Sequence, residues 1–319
     1  MKRFKKILCY VGGPADPSPA VDAAAELAEH NDARLTLVDV LPSSTEGPWL
    51  TVPGRPELEN LVISSRLEDL QEMAEPLRNR GLKVEIEVTT GSPFVELIRG
   101  VVVDGHDLVV KTAQNLNSPL GGMLGTTALH LMRKCPAPVW VVKPPTGEPT
   151  RRVLAAVDPK PAADGENLLS YKVMRLAASL AEASGSQLDV VHAWWMNSEA
   201  MLRGRRINLP PAEVDALVRE TRGRAEEALD DLLHRVDLGR VSHEVHLVKG
   251  QPYDVISRFA ERSDIAVMGT LSRSGVEGLL IGNTAERVLR RVECSILAVK
   301  PEGFATPLRF DTPAVRDVI

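Results

Sequence analysis

GTTALHLMRKCPAPVWVVKP, residues 125–144, returns without a gap as GNTAERVLRRVECSILAVKP, residues 282–301. Gly, Thr, Ala, Arg, Val, Lys and Pro stand at matching places in the two segments. Upstream, GSPF from Gly91 answers GQPY from Gly250, and ILCYVGGP from Ile7 answers VLAAVDPK from Val153. A tandem duplication accounts for this repeated order, and two unrelated domains do not. PPTGEPT, residues 144–150, is the natural linker, because its prolines and glycine continue neither a sheet nor a helix. The division expected is a first domain over 1–146, a second over 151–303 and a tail over 304–319.

Each half alternates short apolar runs with longer amphipathic stretches, the order of parallel βαβ units. In the first half strands are expected over Lys6–Val11, Arg34–Val40, Leu82–Val88, Asp107–Lys111 and Val139–Val142, with helices near Ala20–His30, Leu58–Asn79, Phe94–Val102 and Thr126–Lys134. The second half repeats them, with strands over Val153–Val157, Gln187–His192, Val241–Leu247, Ile265–Met268 and Ser295–Val299 and helices over Leu168–Ala183, Ala212–Val236, Tyr253–Glu261 and Asn283–Val292. The fold class is therefore α/β, two tandem five-stranded parallel-sheet domains. The runs PVWVVK and SILAVK read as sheet edges, which invite pairing.

Composition narrows the function. A net charge of −5 argues against a dedicated nucleic-acid binder, which needs a concentrated basic face. No apolar run approaches the roughly 20 residues that span a bilayer, and MKRFKKILCYV enters a strand pattern directly, so a cytoplasmic protein is expected. Cys9, Cys135 and Cys294 are widely spaced with no CxxC, which indicates neither a disulfide framework nor a zinc ribbon. Cys9 and Cys294 read as small core residues.

In open parallel sheets a ligand sits beyond the carboxyl ends of the strands. In the second half those ends carry Asp158, His192 to Trp195, Lys249-Gly250, and GTLSRSGVEGLLIGNTAE from Gly269. The last reads Gly269-x2-Ser272-x9-Gly282-Asn283. With Asp158 on the first strand and the duplication, it resembles the universal stress protein family, whose nucleotide-binding members carry Gly-x2-Gly-x9-Gly followed by Ser or Thr. The tandem order, RKCPAPVWVVK and GNTAE are similar to the E-type tandem members, over nearly the whole chain.

The resemblance implies an adenine nucleotide alpha hydrolase-like, Rossmann-like fold, and ATP or ADP with Mg²⁺ as ligand. It implies that Asp158 contacts the adenosine part, that backbone N–H groups from Gly269 through Thr270 and Ser272 to Arg273 hold phosphates, and that Gly282, Asn283 and Thr284 present a helix N-terminus to them. Val157, His192, Gly250 and Met268 complete the implied nucleotide site. A helix start offers unpaired N–H groups and partial positive charge, which suit an anion. Asp158 is also an oxygen ligand suited to Mg²⁺. The resemblance further implies that the last strands of the two domains pair across a pseudo-twofold, giving an intrachain pseudo-dimer, with a dimer of tandem chains and unidentified regulatory protein partners as further expectations.

Two residues depart from the family pattern. Ser272 either adds a Cβ where the backbone of a phosphate loop wants positive φ, at a cost of roughly 1–2 kcal/mol, or donates its hydroxyl to a phosphate oxygen. Asn283 with Glu286 three residues on resembles a capping box, whose side chains satisfy the N–H groups a phosphate would use. In the first half the matching positions are Thr112, Asn115, Gly125 and Thr126, and Gly12 stands where the second half has Asp158. That half lacks the first motif glycine and the acid.

Other clusters carry less. His243 and His246, three apart on a strand, face opposite ways and make a poor metal pair. No HExxH, Ser-His-Asp order or close carboxylate pair supplies a nucleophile or base, so at most slow ATP hydrolysis is expected. Trp194 and Trp195 are positioned to cover a ligand or plug the core, and Arg203, Arg205 and Arg206 to attract an anion. Val214, Leu217, Leu229, Leu232 and Val236 are expected on one packed helix face. The functional expectation is a stress-response regulatory or binding module with nucleotide in the second half. The alternative is a scaffold whose pockets hold no nucleotide or another, apolar ligand.

Overall fold

The computed structural model describes residues 4–42, 55–114, 125–144, 147–160, 168–204, 207, 209–270, 282–310 and 316–318. They form two compact units, residues 1–148 with 270–282 and 293–319, and residues 149–269 with 283–292.

The first unit runs β1 (Lys6–Tyr10), α1 (Ser18–Asn31), β2 (Arg34–Leu41), α2 (Arg55–Asn79), β3 (Lys83–Thr90), α3 (Pro93–Val103), β4 (Leu108–Thr112), α4 (Thr126–Lys134) and β5 (Val139–Val142). Strands β1 to β5 lie parallel in the order β3-β2-β1-β4-β5. Their central members are near-continuous apolar runs, Ile7, Leu8, Leu35, Leu37, Val109 and Val110 all at most 1% exposed. Such runs mark a sheet covered on both faces. Prolines start the helices where a missing N–H costs nothing, as at Pro93 in α3.

The second unit runs β6 (Arg152–Val157), α5 (Leu168–Ser184), β7 (Gln187–Trp194), α6 (Glu199–Leu202), α7 (Pro211–Arg235), β8 (His243–Lys249), α8 (Pro252–Ala260), β9 (Ile265–Gly269) and α9 (Asn283–Arg291). Its strands β9-β6-β7-β8 repeat the first unit's β4-β1-β2-β3, all parallel. The outer strand β8 is largely exposed and carries His, Glu and Lys, a composition that blunts an open edge.

The last strand of the second half, β10 (Ser295–Val299), belongs to the first unit. It pairs antiparallel with β5, Ile296 opposite Val141 and Leu297 opposite Trp140, and Ser295 Oγ accepts the Lys143 N–H at 3.0 Å. The strand pairing expected between the two halves is thus made within one chain. At the other side, β11 (Arg316–Val318) adds antiparallel to β3, so the segment expected as a tail supplies a strand.

The duplication also explains a repeated backbone feature. Gly91 and Gly250, the glycines of GSPF and GQPY, have φ of +142° and +153°, a region side-chain-bearing residues rarely adopt. Each directly follows a strand, two residues before the proline that opens the next helix.

Candidate functional site

Strand register assembles the candidate residues of the second unit. Val157 lies opposite His192, and Ala156 opposite Met268, so Val157, His192 and Met268, at or near the ends of β6, β7 and β9, lie at one edge. Trp194 pairs with Lys249, and the Gly250 N–H donates to the Trp194 carbonyl at 2.9 Å, which brings the end of β8 to the same edge. Asp158 follows Val157 and is exposed.

His192 is buried, 5% exposed, with Nδ1 3.2 Å from the Val157 carbonyl oxygen. Burial holds its pKa below the ordinary histidine value, against the opposing pull of that carbonyl. The ring is therefore a neutral strut between β6 and β7 at neutral pH. Gly269 ends β9 under α5: a Cβ there would stand 2.7 Å from Leu169 Cδ2. A side chain there would have to push Leu169 aside, so the packing of α5 on β9 favours glycine whatever the site holds.

Thr270 is fully buried, its N–H donating to the Val299 carbonyl at 3.1 Å, and its own carbonyl accepts the Gly282 N–H at 3.4 Å. Helix α9 starts at Asn283, and Thr284 lies in its first turn. Arg287 stacks over the Tyr253 ring of α8 at 4.0 Å. Ser272, Arg273 and the side chain of Asn283 lie outside the described residues, and with them the capping-box expectation.

Sequence reasoning missed a buried, multiply bonded charged group in this unit. Asp189, wholly buried on β7, takes both carboxylate oxygens to Arg152 Nη1 at 3.1 and 2.9 Å, and His246 Nε2 lies 3.1 Å from Oδ1. Asp189, Glu244 and His246 offer ligand atoms within 4.8 Å of one another. Arg152 supplies the positive charge this cluster needs, its pKa raised chiefly by the hydrogen bond to Asp189. Only the β6-β7-β8 register brings these residues together, and their separation in sequence hides it. His243 points away and is exposed, as strand alternation requires.

The insertion after β7 is tied down by ion pairs. Trp194 is buried under Lys249, whose Nζ lies 5.7 Å from the ring centre, while the Trp195 indole donates to Asn197. Arg203 is bonded to Glu199 at 3.2 Å and to Asp215 at 2.6 Å, which commits its charge within the protein. Arg205 and Arg206 lie outside the described residues. Val214, Leu229 and Leu232 of α7 and Val236 just after it are buried as expected, whereas Leu217 is 39% exposed.

The model of the "Universal stress protein family" matches this chain twice, over residues 3–143 and 149–300. This chain is a universal stress protein. Universal stress protein E of Escherichia coli K12 is 30% identical over 317 residues, covering 98% of both chains. The Haemophilus influenzae homologue is 24% identical over 309 residues, 94% of this chain and 98% of its own. A crystal structure of a putative universal stress protein from Pseudomonas aeruginosa UCBPP-PA14 superposes with a TM-score of 0.70 at 25% identity, over 95% of each chain.

In this universal stress protein the first half builds the matching edge differently. A Cβ on Gly12 would stand 1.8 Å from Asp39 Oδ1, so the place of Asp158 is taken by a carboxylate arriving from β2. Tyr10 pairs with Val38 as Ala156 pairs with Val191, which puts Asp39 at the position of His192. Arg66 of α2 donates through Nε to Asp39 and through Nη1 to Asp69 at 2.8 Å. Thr112 ends β4, Gly125 has φ +77° and Thr126 opens α4, while Asn115 lies outside the described residues. All three cysteines are buried, and burial pushes the thiols of Cys9 and Cys135 up to about 12, so they remain protonated packing residues. Among the described residues no helix is long and apolar enough to cross a membrane.

Proposed function

We propose that this tandem universal stress protein is a cytoplasmic stress-response binding module whose second domain, residues 151–303, takes ATP or ADP with Mg²⁺. The observation that carries this reading is the register placing Val157, Asp158, His192, Met268 and Gly269 at the carboxyl edge of one sheet. Helix α9 opens shortly afterwards, at Asn283. A strand edge followed by a helix start is where α/β sheets hold phosphates. Asp158 is the group for the adenosine part and an oxygen ligand for Mg²⁺. The amides of Gly269, Ser272, Arg273, Asn283 and Thr284 are the phosphate donors, the Thr270 amide being bonded to the Val299 carbonyl, with Gly250 bounding the pocket. The sequence supplies no recognised nucleophile-and-base order, so slow ATP hydrolysis is the most this reading expects.

The second reading, a scaffold or a binder of another ligand, is favoured by the Leu169 contact that explains Gly269 without a ligand, and by the Gly282 N–H already donating to Thr270. Calorimetric titration of the full chain with ATP and Mg²⁺ separates the two. The nucleotide reading expects binding heat that Gly282→Asp abolishes. A flat titration of the unaltered chain supports the scaffold.

A further inference from the structure

At the amino end of the second unit's sheet, opposite the edge described above, an open pocket of about 580 Å³ lies between the end of α5 and the starts of β6, β7 and β8. Small-molecule sites run to about 300–1,000 Å³. Arg151 and Arg240 line this one, both exposed, and among the described residues neither side chain has a hydrogen bond or ion pair. Arg152, also in the lining, is committed to Asp189 at 2.9 Å. Arg151 is held at φ +54°, a conformation that a side-chain-bearing residue adopts only where its surroundings impose it. Asp264 imposes it here: its carboxylate accepts the N–H of Thr150 at 2.8 Å and that of Arg152 at 3.2 Å, pinning the chain on both sides. The Arg151 carbonyl accepts the Gln187 N–H at 2.9 Å, which fixes the turn against β7. Glycine fits such a turn without strain, yet the chain presents a cation there.

The rest of the lining sorts the ligand. Thr150, Ser186, Gln187 and Ser242 offer hydroxyl and amide groups, and no aromatic ring stands among the described lining residues. A nucleobase has nothing to stack on there. Glu182, the acid of the lining, repels a bare anion but accepts hydrogen bonds from hydroxyls. The matching corner of the first unit is built differently. Counting back from the paired strand starts, Phe4 stands at the place of Thr150, Asp32 at that of Gly185 and Lys83 at that of Ser242. Phe4 is 4% exposed, and Asp32 pairs with Lys83 at 3.1 Å. The second half thus has hydroxyls where the first has an apolar plug and an ion pair.

We propose that this pocket binds a small phosphorylated polyol of the sugar phosphate class, its phosphate taken by Arg151 and Arg240 and its hydroxyls by Ser186, Gln187, Ser242 and Glu182. Guanidinium forks match phosphate oxygens in pairs. The site lies at the other end of the strands from the nucleotide reading, shares no residue with it and does not depend on it.

The test is calorimetric titration of the full chain with glycerol 3-phosphate, ribose 5-phosphate and glucose 6-phosphate, against glucose and inorganic phosphate at matched ionic strength. At least one ester should bind tenfold or more tightly than either control. Arg151→Gly, which removes the charge and relieves the turn, should weaken that binding at least tenfold while the ligand-free chain melts no lower than before. Arg240→Gln, on the surface, should weaken it as much. Glu182→Gln should narrow the margin over inorganic phosphate. Gly282→Asp, directed at the nucleotide reading, should leave ester binding intact, so the two sites are scored separately. Three outcomes overturn the proposal: no binding of any ester, inorganic phosphate bound as tightly as the esters, or binding that survives Arg151→Gly or Arg240→Gln.

Discussion

Single residues at the strand ends have been assigned opposite jobs in the two halves. Where β6 is followed by an exposed acid, Asp158, β1 is followed two residues on by Gly12, and the space of a side chain there belongs to the Asp39–Arg66 pair. His192 occupies the matching place to Asp39 as a buried neutral ring. Its folded pKa lies below the ordinary 6.5, so protonation favours the unfolded chain. The stability it contributes is whole above that ordinary value and drains away as pH falls through it toward the depressed folded value. His192→Asn should flatten the acid limb of a stability-against-pH profile measured by urea unfolding. An unchanged limb would place the acid sensitivity elsewhere. At this scale the sequence was legible where chemistry is local: buried cysteines and the opposed faces of His243 and His246 follow from composition and alternation. The Asp189–Arg152 pair was illegible, since two residues 37 apart meet only through register.

At the scale of elements the reading was close to complete, because each half's strands and helices have strong periodicity and are punctuated by glycine and proline. Strand β5, helix α4 and strand β10 have the bounds expected from the sequence, and most others shift by one or two residues. The exceptions lie where periodicity is weak: the one-turn α6 in the insertion and the three-residue β11 in the tail. The turn from β8 into α8 rests on Gly250, with φ +153° and a prospective Cβ contact of 3.1 Å to Val255 Cγ2. Gly250→Ala should cost about 1–2 kcal/mol by urea unfolding. Gly223→Ala, inside α7 with open space around it, should instead stabilise by about 0.5–1 kcal/mol. Equal effects would refute the backbone argument.

For the whole molecule, the duplication leaves β5 as a strand that needs a partner and supplies β10 for it. A chain ending at Glu148 should therefore expose the β5 edge and self-associate on size exclusion, while the full chain keeps that edge paired. A monomeric fragment would show that the β5–β10 ladder is dispensable. The amino-acid sequence by itself determined the α/β class, the twofold repeat and the family. These are carried by patterns that recur along the chain, and periodic burial and turn chemistry act between near neighbours. Only the tertiary structure decided that β10 joins the first unit, that Asp39 fills the space beside Gly12, and that Asp189, Arg152 and His246 meet in one cluster. Those facts depend on which distant residues share a strand edge or a void. Sheet register and packing set that, and no local pattern encodes it.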